Sequence, residues 1–254
     1  MKADLHIHTD ESDGRDSIDE VIEESIEKQL DVIAITDHDK PHPKLSQPIS
    51  DIRDLTVIKG IELRVKSSAG RFDLLGYGVS ETKELTKEMR KVIEGRRQRT
   101  QSIVNSIESD FDTELDIKIE GVVGRPHIAR AIDKNESIKE DYLGAFENLI
   151  GDNCKYYEDR YVTDYERGIK LLKQSCEFVS LAHPYRYENV YSIISLCGEV
   201  EGIEFYYPYN EDYNLSRLEE YDKIKTGGSD AHKKEDIGKE TLNKPQKFLN
   251  KLHY

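Results

Sequence analysis

The chain of 254 residues contains no tryptophan, two methionines and three cysteines. Cys154, Cys176 and Cys197 are too few and too scattered for a disulfide framework or a zinc ribbon, so we interpret them as ordinary thiols. No apolar run approaches the ~20 residues that a membrane helix needs, and the opening residues Met1-Lys2-Ala3-Asp4 form no apolar signal region. We therefore expect no membrane segment and a reducing, cytoplasmic setting.

Positive charge is also scarce, since 37 Lys and Arg stand against 51 Asp and Glu and give a net charge of −14. A grip on duplex DNA depends on many contacts between basic side chains and phosphates, so we expect no stable duplex binding. A small phosphorylated substrate, such as a nucleotide or an RNA 5′ end, stays compatible with this charge because a metal site can locally outweigh it. The basic run Arg96-Arg97-Gln98-Arg99 is interpreted as a solvated helix face, with a nucleotide contact as the alternative.

Short apolar runs rich in β-branched residues predict strands. They cover residues 1–8, 31–36, 56–62, 72–77, 177–182, 200–206 and 223–226. Helical patterns lie between several of them, one starting at a capping box formed by Ser17 and Glu20 and another over residues 165–174. This alternation favours an α/β barrel or a parallel sheet, whose chemistry would lie at the carboxyl ends of the strands.

The stretch between residues 83 and 162 carries helical signals, many charges and few strand signals. We predict a barrel domain of residues 1–82 and 163–254, interrupted by a helical insertion of residues 83–162. The alternative is that this stretch contains barrel strands whose pattern is hidden.

Most histidines fall at or just after predicted strands. These are His6, His8, His38, His127, His183 and His232, six of the eight in the chain. His6 and His8 share one strand face, because side chains repeat every two residues, and two imidazoles so placed can bind one ion. The joint placement at converging strand ends predicts a metal site. Carboxylates accompany these histidines: Asp13, Asp37, Asp39, Glu62 and Asp230.

Mixed imidazole and carboxylate ligands suit Mn²⁺, Zn²⁺ or Fe²⁺ better than Mg²⁺ or Ca²⁺, which prefer oxygen. The candidate ligands exceed what a single ion needs, so we predict a cluster of two or three divalent ions. Ions about 3.5–4 Å apart can clamp the attacking and leaving oxygens of a phosphoryl transfer.

Five short motifs resemble those of the PHP (polymerase and histidinol phosphatase) superfamily, in the order that the family has them. They are Asp4-Leu5-His6-Ile7-His8-Thr9 with Ser12-Asp13-Gly14, Thr36-Asp37-His38-Asp39, Gly60-Ile61-Glu62, Ala182-His183-Pro184 and Gly228-Ser229-Asp230-Ala231-His232. A further segment, Gly124-Arg125-Pro126-His127-Ile128-Ala129-Arg130, resembles the TrpH-like phosphoesterases. That branch includes ribonuclease AM and nucleoside 3′,5′-bisphosphate phosphatases.

The resemblance implies a distorted (β/α)₇ TIM-like barrel and assigns roles to the motif residues. His6, His8, Glu62 and Asp230 would hold a first ion, and Glu62 would bridge to a second ion also held by His183. Asp13, His38 and His232 would surround a third. Asp13, His38, His127 and Arg186 are the predicted catalytic residues, and Arg125, His127 and Arg186 the predicted phosphate contacts. A structural salt bridge is an equal alternative for Arg125.

One position departs from the family pattern. The family usually has a histidine before Leu-Leu-Gly-Tyr as a ligand of the second ion, and this chain has Asp73 there. Asp73 either binds the second ion as a harder, anionic ligand or leaves the second site weakened. A turn cap without a role in metal binding is a third possibility.

Together these features predict a phosphoesterase in which a metal-activated hydroxide attacks phosphorus. The predicted substrates are nucleotides or short oligonucleotides, as for a 3′,5′-bisphosphate phosphatase or a 5′–3′ exonuclease. The alternatives are a histidinol-phosphate phosphatase or other small-molecule phosphatase, an amidohydrolase-type hydrolase, and an inactive metal-binding scaffold.

Other polar and aromatic residues have two interpretations each. Asp37 and Asp39 would orient His38, or Asp37 would cap a turn. Tyr206, Tyr207 and Tyr209 would stack a base near the barrel mouth, or pack within the barrel.

Overall fold

Ten strands form one mixed sheet in the part of the chain that the structure, a computed structural model, describes: residues 1–208, 218 and 221–252. The strands are β1 (Lys2–Ile7), β2 (Val32–Ile35), β3 (Ile49–Ile52), β4 (Leu55–Ser67), β5 (Gly70–Tyr77), β6 (Thr163–Asp164), β7 (Phe178–Leu181), β8 (Gly202–Tyr206), β9 (Ile224–Gly227) and β10 (Leu242–Asn243). All seven predicted strands are present. Those missed are β3, β6 and β10, which have four residues or fewer.

Seven of these strands form a barrel, in the order β1, β2, β4, β5, β7, β8 and β9. Neighbours are parallel except around β5, which runs antiparallel to both β4 and β7. The ring closes where Ile7, at the end of β1, pairs with Ala231 just after β9. Two backbone bonds support this seam, from His8 N to the Ala231 carbonyl (2.9 Å) and from Ala231 N to the His6 carbonyl (3.3 Å). The predicted α/β barrel is therefore confirmed, and the reversed β5 is its main distortion.

The helices lie between the strands and in a separate stretch of the middle of the chain. They are α1 (Ile18–Glu27), α2 (Lys83–Phe111), α3 (Arg125–Asp133), α4 (Tyr142–Gly144), α5 (Tyr165–Ser175), α6 (Val190–Leu196) and α7 (Gln246–Leu249). A π-helix covers Ala145–Ile150, and single 3₁₀ turns cover Pro184–Arg186, Cys197–Glu199 and Lys234–Asp236. Among the described helices, none combines the length and the apolar character that crossing a membrane requires.

Helix α1 begins as its sequence predicts. The Ser17 side chain accepts from the Glu20 amide, and the Glu20 carboxylate accepts from the Ser17 amide at 2.9 Å. This reciprocal pair satisfies two amides that a helix start otherwise leaves open. The apolar face of α1 belongs to one buried cluster, in which Val21 lies together with Ile33 of β2 and Val57 of β4.

A second buried cluster joins the strands to the last helix. Tyr77, Phe178 and Phe248 form its aromatic centre, with ring centroids 5.0 to 6.1 Å apart. Such tilted and edge-on contacts are the preferred geometry of aromatic pairs. The two clusters support the barrel and leave the carboxyl ends of its strands to polar side chains.

The described chain divides into two compact units, residues 1–88 with 162–254, and residues 89–161. The second unit has its own buried core, which includes Ile103, Ile107, Ile128 and Ile132. Its assigned helices and turns match the helical signals of that stretch. The assignment of residues 83–162 as an insertion into a barrel domain stays a prediction.

Candidate metal centre

Histidines and carboxylates gather at the carboxyl ends of the barrel strands. They form three adjoining groups whose ligand atoms lie within 4.8 Å of one another: His8 with Asp13, His38 and His232; His6 with Glu62 and His183; and His6 with His8 and Asp230. Eight of the nine ligands predicted from sequence belong to these groups. The exception, within the described residues, is Asp73.

The group of His6, His8 and Asp230 is the most tightly converged. His6 Nε2 and His8 Nε2 are 3.1 Å apart, and Asp230 Oδ1 lies 3.4 and 3.2 Å from them. Glu62 adds Oε2 at 3.4 Å from His8 Nε2. Separations of this size are expected between ligands that each lie about 2.0–2.2 Å from one ion. The residues of this group therefore fit a divalent metal.

The middle group is organised around Glu62. His183 Nε2 lies 2.9 Å from Glu62 Oε1, and His38 Nδ1 lies 2.8 Å from Glu62 Oε2. His6 Nε2 is 3.6 Å from Oε1. Because its two oxygens face different histidines, Glu62 is placed to bridge neighbouring ions.

The third group, of Asp13, His38 and His232, is the most open to solvent. Asp13 Oδ1 lies 3.2 Å from His232 Nε2, and Asp13 Oδ2 lies 3.6 Å from His38 Nε2. The side chains of His38 and His232 are 16% and 35% exposed, whereas that of His6 is fully buried. Solvent therefore reaches the centre from this side.

One buried nitrogen gives a separate sign of fit to a cation. His8 Nδ1 has no hydrogen-bond partner among the described residues. It faces Asp13 Oδ1 at 3.8 Å, beyond hydrogen-bond distance. Orphaned buried polar atoms are rare in folded proteins, so an ion among these ligands would account for this one.

The electrostatics keep the carboxyl groups of the centre ionised. Burial alone would raise the pKa of Asp13, Glu62 and Asp230, but the surrounding histidines lower it well below the usual range. For His6 the same two effects act on the pKa in the opposite directions. Burial opposes its protonation, yet Glu204, Asp230 and Glu62 raise its pKa well above the ordinary value.

Glu204 is a functional candidate that sequence reasoning missed. This fully buried residue of β8 lies 3.0 Å from His6 Nδ1 through Oε1 and accepts from the His183 amide through Oε2 at 2.7 Å. Holding Nδ1 in this way directs Nε2 of His6 toward the ligand group. A charged residue within the apolar run 200–206 was the available signal.

Asp37 and Asp4 hold the loops that carry the ligands. Asp37 accepts from the Thr9 amide (2.8 Å) and from the hydroxyls of Thr9 (2.7 Å) and Ser12 (2.5 Å), which fixes the loop leading to Asp13. Asp4 accepts from the Ser229 amide at 2.9 Å and its hydroxyl at 2.6 Å. These contacts match the turn interpretation of Asp37, and the orientation of His38 by Asp37 and Asp39 stays a prediction.

Two ligands occupy backbone conformations that side chains rarely adopt. His183 has φ 23° and lies two residues after β7, and Asp230 has φ 51° and lies three residues after β9. Such strain clusters at functional sites, where the surrounding structure holds it in place. Here it turns each side chain into the centre.

Arg186 and Tyr207 lie beside the group of His6, His8 and Asp230. Arg186 Nη1 is 3.3 Å from Asp230 Oδ2, and the Tyr207 hydroxyl donates to the same oxygen at 2.9 Å. The Arg186 side chain is 55% exposed, so part of its guanidinium stays accessible to an anion. Tyr206 is exposed, and Tyr209 lies outside the described residues.

The remaining predicted residues are Asp73, in β5, and Arg125 and His127, in the second compact unit. Asp73 Oδ2 is 3.8 Å from His183 Nε2, and both Asp73 oxygens accept from Arg64. In the second unit, at the start of α3, Arg125 forms an ion pair with Asp152 at 2.7 Å. His127 Nδ1 accepts from the Gly124 amide at 3.2 Å. The Arg125 pair matches the structural alternative, and the phosphate contacts of Arg125 and His127 stay predictions.

The PHP domain family model matches residues 4–232. Phosphoribosyl 1,2-cyclic phosphate 1,2-diphosphodiesterase of Eggerthella lenta is 24% identical over 252 residues, which cover 92% of this chain and 95% of that protein. Its similarity extends through both compact units.

Two solved structures share the fold. A candidate metal-dependent phosphoesterase from Bifidobacterium adolescentis has a TM-score of 0.78 at 21% identity, covering 98% of this chain and 96% of its own. An amidohydrolase from Chromobacterium violaceum, solved with sulfate and no metal, has a TM-score of 0.74 at 20% identity, covering 97% and 93%. These similarities support the distorted barrel.

Proposed function

Because this chain belongs to the PHP domain family and is a metal-dependent phosphoesterase, we propose that it hydrolyses phosphate esters of nucleotides or short oligonucleotides. The observation that carries this proposal is the convergence of three ligand groups on shared residues, His6, His8 and Glu62, at the barrel mouth. Adjoining groups of this kind suit phosphoryl transfer, which needs positive charge on both the attacking and the leaving oxygen.

The ligand chemistry supports Mn²⁺, Zn²⁺ or Fe²⁺ as the metal. His6, His8, Glu62 and Asp230 would hold one ion, and Asp13, His38 and His232 another. Divalent ions bound there would supply an acidified water as nucleophile and would offset charge on the phosphoryl oxygens. The expected cytoplasmic location stays a prediction.

The chain's own residues would orient the substrate. Arg186, anchored to Asp230 at 3.3 Å, would donate to the phosphoryl oxygens from its exposed edge. Asp13 faces the open side of the centre, and its carboxylate would hold the proton of the attacking water or pass it on. His38 would keep its own orientation through Nδ1, which lies 2.8 Å from Glu62 Oε2. Glu204 would keep the metal-facing nitrogen of His6 in place.

A second candidate substrate is a ribose 1,2-cyclic phosphate. The Eggerthella lenta relative, by its name, acts on phosphoribosyl 1,2-cyclic phosphate, and its similarity covers nearly the whole of both chains. A nucleotide and this compound share a phosphorylated ribose, so the same centre would accept either kind of ester. The ratio of the turnover rates for a nucleotide and for the cyclic phosphate would separate the two candidate substrates.

The test is a substrate comparison with Mn²⁺ added to purified protein. Adenosine 3′,5′-bisphosphate, a short 5′-phosphorylated RNA, phosphoribosyl 1,2-cyclic phosphate and histidinol phosphate would be assayed side by side. We expect phosphate or mononucleotide release from the first two, abolished by His6→Ala. The control His42→Ala removes a buried histidine outside the three ligand groups and should retain activity.

Other results would redirect the proposal. Preference for the cyclic phosphate would establish the second candidate, and preference for histidinol phosphate would leave the metal chemistry but overturn the nucleotide substrate. Hydrolysis of amides or lactones instead would favour the amidohydrolase alternative. Bound metal without turnover of any compound would favour an inactive scaffold.

A further inference from the structure

Asp73 is held from the side by an arginine on the neighbouring strand. Arg64 and Asp73 are paired in the β4–β5 register, and Arg64 donates to both carboxylate oxygens, Nε to Oδ1 at 2.8 Å and Nη2 to Oδ2 at 2.6 Å. Asp73 is buried, whereas the Arg64 side chain is 37% exposed. This two-pronged geometry is the strongest form of arginine–carboxylate contact.

The pair adjoins the middle ligand group. Asp73 Oδ2 is 3.8 Å from His183 Nε2, which itself lies 2.9 Å from Glu62 Oε1. The Tyr187 hydroxyl links Asp73 to His183, since it accepts from the Asp73 amide at 2.8 Å and lies 3.0 Å from His183 Nδ1. Asp73 is therefore a carboxylate within reach of an ion between Glu62 and His183.

The middle group lacks a full ligand set of its own. His6 Nδ1 is committed to Glu204, so only Nε2 is left for metal, and this atom converges with His8 and Asp230. One imidazole nitrogen binds a single ion. A separate middle ion would thus depend on Glu62, His183 and Asp73, and it would compete with a guanidinium for the Asp73 oxygens. Two positive charges so close repel each other strongly in a buried setting.

We propose that Arg64 takes the place of the middle metal ion, so that the chain binds two divalent ions instead of three. Arg64 neutralises Asp73 and supplies a fixed positive charge next to the one carboxylate that adjoins His183 at 3.8 Å among the described contacts. The two ions then lie in the outer groups, one with His6, His8 and Asp230 and the other with Asp13, His38 and His232. This inference rests on the proposed metal centre.

The test is a count of bound ions in the whole protein. Each variant would be dialysed against Mn²⁺, and the metal per chain measured by plasma mass spectrometry. We expect two ions in the parent protein and three in the double variant Arg64→Met/Asp73→His, which removes the guanidinium and restores an imidazole without leaving an unpaired charge. The control Arg71→Met, at an exposed position of the same hairpin, should bind two.

A second measurement guards against poor folding of the double variant. In Arg64→Met alone, the buried Asp73 loses its partner, so Mn²⁺ should raise the melting temperature of this variant more than that of the parent. Circular dichroism would verify the fold in each case.

The outcomes separate the two proposals. Three ions in the parent protein, or two in a folded double variant, would overturn the role of Arg64 and leave the metal centre intact. No bound ion in the parent protein would refute the metal centre itself.

Discussion

Glu204 shows how one side chain fixes two ligands of the centre at once. Its oxygens contact His6 Nδ1 at 3.0 Å and the His183 amide at 2.7 Å. The first contact sets which imidazole nitrogen faces the metal, and the second sets the strained turn at His183. Partners of this kind orient metal ligands, and their loss typically costs about 10–100-fold in metal affinity or activity.

We predict that Glu204→Gln weakens Mn²⁺ binding by about 10–100-fold without unfolding the barrel. An amide has one oxygen, so it can accept from only one of the two donors that Glu204 serves. Calorimetric titration with Mn²⁺ would measure the change. Glu201→Gln is the matched control, because Glu201 accepts from the Val179 amide rather than from a ligand. Equal affinities for both variants and the parent would contradict this role.

At the scale of single residues, the sequence predicted which candidate ligands converge better than it predicted their partners. The candidate ligands His6, His8, His38, His183 and His232 could be singled out because each lies at or just after an apolar run that predicts a strand. Glu204 could not be assigned, since its two contacts lie 198 and 21 positions away along the chain. The ion pair between Arg64 and Asp73 depends on the register of a hairpin, which side-chain alternation alone does not fix.

At the scale of elements, the seam between β1 and the turn after β9 is too narrow for a side chain at Gly228. A Cβ atom on Gly228 would lie 2.4 Å from His6 N and 2.6 Å from His6 Cβ. Real Cβ atoms do not approach this closely, so a side chain at Gly228 must push β1 away from the turn after β9. Because that turn carries Asp230, the same displacement would separate the ligands of one group.

We predict that Gly228→Ala lowers the free energy of unfolding by about 1–3 kcal/mol and weakens Mn²⁺ binding. Denaturant unfolding and metal titration would measure the two effects. Gly198→Ala is the control, since its Cβ would meet nothing within 4 Å. Unchanged stability and affinity in Gly228→Ala would mean that the seam tolerates a wider spacing.

The elements themselves were largely predictable, and their directions were not. Residues 72–77 were correctly predicted to form a strand from their apolar content, and they make up most of β5 (Gly70–Tyr77). The same pattern gives no sign that β5 runs antiparallel to both neighbours. Direction depends on the short turn between Ser67 and Gly70, which joins β4 and β5 as a hairpin.

At the scale of the whole molecule, the metal centre ties together strands from all around the barrel. Candidate ligands come from the ends of β1, β7 and β9, from the middle of β4 and from the loops after β1 and β2, so bound ions would cross-link distant parts of the chain. A ligand that binds only the folded state stabilises it, by about 3–4 kcal/mol at 100–1,000 times its dissociation constant.

We predict that a chelator lowers the melting temperature and that Mn²⁺ restores it, by roughly 5–15 °C for a chain of this size. The effect should be smaller at pH 6 than at pH 8. Carboxylates raise the pKa of His6 above its ordinary value, and Asp13 raises that of His232 to about 10 against the opposing effect of burial. Protons therefore compete with the ion for both side chains, and the competition weakens as pH rises.

Thermal unfolding followed by circular dichroism would check this prediction. Ca²⁺, which prefers oxygen ligands, should give a much smaller shift and serves as the control. A melting temperature that is insensitive to chelation, or a larger Mn²⁺ effect at pH 6, would contradict it.

The pairing of Asp4 with Ser229 joins positions that are 225 residues apart, and this has a consequence for biosynthesis. While the chain is being made, His6 and His8 emerge long before Asp230 and His232. A nascent chain thus presents histidines without the acidic partner that completes their group, and contacts between remote positions form slowly. Metal loading by the outer groups therefore waits until Asp230 and His232 have been made, and a product terminated before Asp230 would lack a ligand of each group.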